Sequence, residues 1–291
     1  MRHLLLGTDW GEDCDDAVAV RLLARAHRAG KIALCGIGIN TRFDASVPSL
    51  TAFLEREGVQ IPIGIDRGCP ELQGRITYQK RLAAYRPDVT NDDAEEAVRL
   101  YRRLMAEAEE PIEIMEIGFL QVIAGALASG ADDISPLTGA ELFRAKVAHV
   151  WIMGGRWDME GGKEYNFSRD AMACGAAASF VADCPVPITF LGWEVGASVI
   201  TGAGLPEGDT LHDVLVDYGS PNGRMSWDPM LVHLAMIGDP AAAGYTTVHG
   251  RATVEPETGV NHFAVGEGDH RYVVKAKEDA FYAAAIDEVI R

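Results

Sequence analysis

Short apolar runs alternate with longer amphipathic stretches along the first two-thirds of the chain. Residues 3–8 read as a strand that ends in an acidic loop. Residues 16–29 predict a helix, with Leu22, Leu23 and Ala26 on one face and Gly30 as its stop. Residues 31–39 are strand-like again and end in the polar turn Asn40-Thr41-Arg42. Residues 61–65 form a short apolar strand, and 112–117 lead through a Gly118 turn into a helix from 121 to about 129. Residues 147–153 read as a strand ending in Gly154-Gly155, 170–182 as an alanine-rich helix and 186–193 as another strand. This alternation predicts an α/β fold: a Rossmann-like, doubly wound and mostly parallel sheet flanked by helices. Two stretches break the rhythm. Residues 70–110 are polar, charged and helical in character, while 245–275 alternate polar and apolar with Gly and Pro, which predicts antiparallel hairpins near the C-terminus. Residues 278–290 predict a closing amphipathic helix. With no internal repeat, low-complexity tract or linker, residues 1–291 read as a single domain.

In open α/β sheets ligands collect beyond the carboxyl ends of the strands. The acidic loop, Asn40, Gly118, Gly154-Gly155 and the segment after Trp193 all fall at such ends. Strand order alone thus locates a candidate site.

Composition narrows what the site accepts. Lysine and arginine total 26 against 43 aspartates and glutamates, a formal charge of −17. That balance disfavours nucleic acid, anionic membranes and highly phosphorylated substrates, and favours a neutral ligand or a cation. No apolar run reaches the ~18–20 residues that cross a bilayer. Met1-Arg2-His3-Leu4-Leu5-Leu6 lacks the longer apolar stretch of a signal peptide, so a cytoplasmic protein is expected. The five cysteines include no CxxC pair, which argues against a disulfide framework or structural zinc. Cys35 and Cys174 read as core residues; Cys14 sits among carboxylates that raise its pKa.

The loop Asp9-Trp10-Gly11-Glu12-Asp13-Cys14-Asp15-Asp16 concentrates the chemistry. So many carboxylates in one turn repel one another unless a cation sits among them. An all-oxygen donor set points to Ca²⁺ or Mg²⁺ and away from zinc. Helix capping accounts for Asp15 and Asp16 but not for a series that begins at Asp9. An EF-hand fits poorly, because the loop follows a strand and lacks the terminal glutamate. The Asp13/Asp15 spacing also suits a magnesium phosphatase, although these residues lie late in the loop.

From Thr8 to Val18 the chain resembles the N-terminal signature of the nucleoside hydrolases, and the likeness continues in order. Asn40 follows a strand of the right character. Ile117-Gly118-Phe119-Leu120-Gln121 lies where that family has Gly-Pro-Leu-Thr-Asn. Met153-Gly154-Gly155 matches its Met-Gly-Gly, and Glu164-Tyr165-Asn166-Phe167 followed by Asp170 is similar to its Ala-Glu-Phe-Asn and later Asp. Trp227-Asp228-Pro229 takes the place of its late His-Asp pair. The resemblance implies Ca²⁺-dependent hydrolysis of the N-glycosidic bond of ribonucleosides or related N-ribosides. It implies Asp9, Asp16 and Asp228 as calcium ligands, with a backbone carbonyl near Gln121. It gives Asp15 the proton of the metal-held water. Glu164 and Asn166 would hold the ribose hydroxyls with Asn40 nearby, and Asp158 is a further substrate-binding candidate. The family analogy also implies a homodimer or homotetramer.

Family members with a histidine before the late calcium Asp use it to assist the leaving base; this chain has Trp227, which is a donor only. Trp227 either stacks on the base or packs the pocket wall. Trp10 and Trp157 are further candidates for a base-facing wall, and His249, His262 or His270 for an alternative acid. His149 and His233 read as structural. Two rival readings stand beside hydrolysis: a non-catalytic, calcium-dependent ribose- or nucleoside-binding protein, and the magnesium phosphatase.

Overall fold

The computed structural model describes residues 1–72 and 77–291. Its strands are β1 (Arg2–Thr8), β2 (Ile32–Ile39), β3 (Ile63–Ile65), β4 (Glu95–Glu96), β5 (Ile112–Glu116), β6 (Val147–Met153), β7 (Gly162–Lys163), β8 (Ile188–Leu191), β9 (Ile200–Thr201), β10 (Arg224–Met225), β11 (Tyr245–Val254), β12 (Val260–Val265) and β13 (His270–Lys275). Eleven form one sheet in the order β4-β3-β2-β1-β5-β6-β8-β13-β11-β12-β7, and β9 pairs with β10 separately. From β4 to β13 every neighbour is parallel; β11, β12 and β7 continue the sheet antiparallel. The fold class and the C-terminal hairpins are therefore those expected from the sequence.

Side chains alternate across the sheet, and the alternation builds a core on each face. Leu4 and Leu6 join one apolar cluster with Ile37, Met115 and Trp151. Leu5 points the other way, into a second cluster with Ile112, Ile114 and Val150. The helix Asp15–Arg28 is buried along most of its length and packs against the helix Trp227–Ile237. Its buried Arg21 donates to Glu57 Oε1 and to Asp209 Oδ1, each at 2.7 Å. These two bonds tie the helix to segments far away in sequence, which matters because Asp15 and Asp16 stand at its N-terminus.

After β1 the chain runs outward to β4, then returns to the other side of β1 as β5. The order reverses between β1 and β5, and that switch point opens a crevice at their carboxyl ends.

Several elements differ from the sequence expectation. The strand expected over 186–193 is shorter, because Trp193 begins a one-turn helix, Trp193–Gly196. Region 70–110 holds the helices Thr77–Ala83 and Ala97–Glu107, but also the edge strand β4; residues 73–76 of that expectation lie outside the described residues. Helices Ser46–Arg56, Gly139–Lys146 and Thr210–Tyr218 were not anticipated. Cys174 is buried as expected, whereas Cys35 is only half-buried. No helix among the described residues is long and apolar enough to cross a membrane.

Candidate active site

Beyond Thr8 the backbone turns sharply: Glu12 N–H donates to Asp9 O at 3.0 Å, and Gly11 takes φ +113°. A side chain disfavours that conformation. The turn delivers Asp15 and Asp16 into the first turn of the helix Asp15–Arg28. Asp228 occupies the first turn of the helix Trp227–Ile237. Two helix N-termini, each the positive end of a peptide dipole, thus present carboxylates to one point. Oxygens of Asp15, Asp16 and Asp228 lie within 4.8 Å of one another, and all three residues are buried. The Asp228 N–H donates to Asp15 Oδ2 at 3.2 Å, and the Thr8 hydroxyl donates to Asp16 Oδ1. Among the described residues Asp16 Oδ2 is buried with no hydrogen-bond partner. Burial raises the pKa of Asp9, Asp15, Asp16 and Asp228 well above the usual carboxylate range, and repulsion from neighbouring carboxylates, Glu12 and Asp13 among them, raises it further. A hard divalent cation fits this donor set: it would engage the orphaned oxygen and offset the repulsion.

These acids floor a cavity of about 300 Å³ at the switch point. Glu164 and Asn166 line the same cavity. Glu164 caps the short helix Tyr165–Ser168. Its Oε1 accepts from Asn166 N–H at 2.9 Å and its Oε2 from Gly155 N–H at 3.2 Å. Burial pushes its carboxyl up to about 7, against those backbone bonds. The Asn166 amide nitrogen donates to Met153 O at 3.1 Å and Ile117 O at 3.3 Å, clamping the ends of β6 and β5. Its Oδ1 remains as an acceptor.

The rim is aromatic and charged. Trp193 and Trp227 lie with ring centroids 6.3 Å apart and planes 31° apart. The Trp227 indole N–H donates to Trp193 O at 2.8 Å, so this N–H is already engaged. Arg224 donates from Nε to Asp13 Oδ1 at 2.9 Å and from Nη2 to Asp13 Oδ2. Outside the lining, Arg169 Nη1 reaches Glu12 Oε1 at 3.3 Å. The Tyr218 hydroxyl donates to Glu12 O at 3.3 Å.

With this cavity in view, the match to known sequences is decisive: the model for inosine-uridine preferring nucleoside hydrolases covers residues 4–282. The chain belongs to that family. No curated protein matches the sequence. The fold of this nucleoside hydrolase family member is shared with the inosine-uridine preferring nucleoside hydrolase from Bacillus anthracis, at TM-score 0.72 and 15% identity over 100% of this chain and 99% of that one. It is shared with an inosine-guanosine nucleoside hydrolase at TM-score 0.69 and 15% identity, over 100% and 99% of the two chains. The type III effector protein XopQ, solved in complex with adenosine diphosphate ribose, is similar at TM-score 0.70 and 16% identity over 99% and 92%.

The residues singled out in the sequence divide into two groups. Asp9, Asp15, Asp16, Asp228, Glu164, Asn166 and Trp227 all line the one cavity. The tight oxygen cluster contains Asp15 together with Asp16 and Asp228, while Asp9 lies beside it. Asn40, Gln121 and Asp158 do not line it. Asn40 is fully buried behind the wall, where its N–H donates to Thr8 O at 2.9 Å and its Oδ1 accepts from Phe119 N–H at 3.2 Å. The Gln121 side chain donates to Asn40 O. Asp158 is exposed, pairs with Arg156 at 2.9 Å and borders a separate shallow cavity with Trp157 and Phe263. Trp10 is no base wall either: it is fully buried, donates to Ser49 Oγ at 2.8 Å and packs on Phe53 and Tyr78. Trp157 stacks on Tyr272 and donates to Gly154 O, within the second core. Among the described residues no histidine lines the cavity. His262 pairs with Glu160 and Glu255, and His270 Nδ1 accepts from Ala252 N–H. As expected, burial and then the charges of Asp13 and Asp15 push the Cys14 thiol up. Sequence reasoning missed Trp193, Tyr218 and Arg224. The one available signal was the placement of Arg224 three residues before Trp227-Asp228.

Proposed function

We propose that the chain is a calcium-dependent hydrolase of ribonucleosides or close N-ribosides, releasing free base and ribose. The observation that carries the reading is the buried Asp15–Asp16–Asp228 cluster, with the orphaned Asp16 Oδ2, on the floor of a cavity faced by Glu164 and Asn166. Asp15, Asp16 and Asp228 would hold the ion, with Asp9 beside them. A bound calcium supplies positive charge that anchors ribose hydroxyls and eases deprotonation of a neighbouring water. Asp15 accepts the proton of the attacking water. As the glycosidic bond stretches, positive charge grows on the ribosyl ring, and the surrounding carboxylates stabilise it. Glu164 and the Asn166 Oδ1 accept hydrogen bonds from ribose hydroxyls. Trp227 presents its ring face to the base, since its N–H is already bound to Trp193 O.

A second reading, calcium-dependent binding of a riboside without turnover, draws on two observations. Trp227 stands where the family resemblance places a histidine acid, and the fold is shared with an effector protein complexed with adenosine diphosphate ribose. One assay separates the two: release of base and reducing sugar from a nucleoside panel, with calcium or with chelator, for wild type and Asp15→Asn. Hydrolysis that needs calcium and is lost in the variant supports the first reading. Calcium-dependent binding without release supports the second.

A further inference from the structure

Seven carboxyl side chains line the cavity among the described residues, and one basic side chain does, Arg224. A base that leaves as an anion would be repelled from so acidic a pocket. Trp227 cannot protonate it, and among the described residues no histidine lines the cavity. Among the described residues that line the cavity, Arg224 alone carries the opposite charge.

Its placement is fixed by three neighbours. The two-pronged pairing with Asp13 sets the plane of the guanidinium. The rings of Tyr218 and Trp227 lie 5.4 and 5.5 Å from its carbon. The pairing uses Nε and Nη2, so Nη1 is the amine left over. Arg224 therefore stands beside the ring assigned to the base, with Nη1 outside its pairing with Asp13.

We propose that Arg224 stabilises the departing nucleobase as an anion, taking the place of a general acid. This inference rests on the hydrolytic reading above. The C1′–N bond breaks with its electron pair passing to the base nitrogen. The water oxygen bonds to C1′, and its proton passes to the Asp15 carboxylate and then to solvent. Arg224 Nη1 donates a hydrogen bond to the charged base without transferring its proton. The base takes a proton from solvent once it has left.

The test compares leaving groups. Wild type, Arg224→Gln and Arg224→Lys are assayed on natural nucleosides and on 4-nitrophenyl β-D-ribofuranoside, whose phenolate departs unaided. Arg224→Gln should lower kcat/KM on the best nucleoside by about 100-fold and leave the nitrophenyl riboside nearly unchanged. Arg224→Lys should fall between. Retained cleavage of the nitrophenyl riboside also shows that the variant is folded and its ribose half intact. Equal losses on both substrates, or no loss on either, would overturn the proposal. A wild type that cleaves only the nitrophenyl riboside overturns it while sparing the hydrolytic reading; a wild type that cleaves neither substrate overturns both.

Discussion

Replacing Glu116 by glutamine should remove a pH dependence of stability that this buried carboxyl imposes near the crevice. Glu116 ends β5, is fully buried, and accepts from the Tyr101 hydroxyl at 2.9 Å and from Asn40 Nδ2 at 3.4 Å. Burial outweighs those bonds and pushes its carboxyl up from 4.5 to about 8. Because the folded value is raised, its stabilising contribution is complete below the unfolded pKa of 4.5 and is lost as pH climbs through about 8. A tenfold change in proton affinity corresponds to about 1.4 kcal/mol, so the swing is on the order of 5 kcal/mol if the site stays dry. The amide cannot ionise. It forfeits about one hydrogen bond, ~1 kcal/mol, at every pH. At about pH 5 the variant should therefore be slightly the less stable, and at about pH 9 clearly the more stable. Urea unfolding of both proteins across that range, in excess calcium to hold the other carboxylates constant, measures the difference. Parallel curves for the two proteins would refute the reasoning and mean that Glu116 is ionised and solvated throughout.

Calcium should raise the melting temperature of wild type, and Asp16→Asn should abolish that rise. At 100 times its Kd a bound ion adds ~2.7 kcal/mol to folded stability, and chelator should erase that gain in wild type alone. Trp227→Ala should weaken nucleoside binding by ~1–3 kcal/mol and leave ribose binding nearly unchanged, by titration of each ligand. A loss of melting temperature that affects both ligands together would instead mark a packing residue. At Gly118 an added Cβ would meet the Asp9 backbone nitrogen at 2.5 Å and Asn40 Oδ1 at 2.6 Å. Gly118→Ala should accordingly cost ~1–3 kcal/mol of stability and weaken calcium binding, as the shift displaces Asp9; a variant with wild-type melting and calcium response would contradict this.

Much of this molecule is written locally. Strands β1, β2, β5 and β6 are legible because apolar runs bounded by turn residues depend only on near neighbours in sequence. The capacity of the acidic loop to hold a cation is legible for a similar reason: carboxylates this close repel wherever the chain goes. Glu164, Asn166 and Asp228 were found from the order of short motifs, and all three reach the crevice between β1 and β5. Tertiary structure decided what the order of residues leaves open, namely which way each side chain turns and which distant segment meets it. Within one loop Asp13 goes to Arg224, Glu12 to Arg169, and Asp15 and Asp16 to Asp228, while Trp10 between them sinks into the core. Asn40 follows β2 as anticipated, yet faces Glu116 and Phe119 behind the wall, and Asp158 turns outward to Arg156. Arg224 became meaningful only when β10 set it against Asp13, 211 positions earlier in the chain. A side chain's direction after a turn costs little to change locally, so long-range packing selects it, and no periodicity in the sequence records that choice.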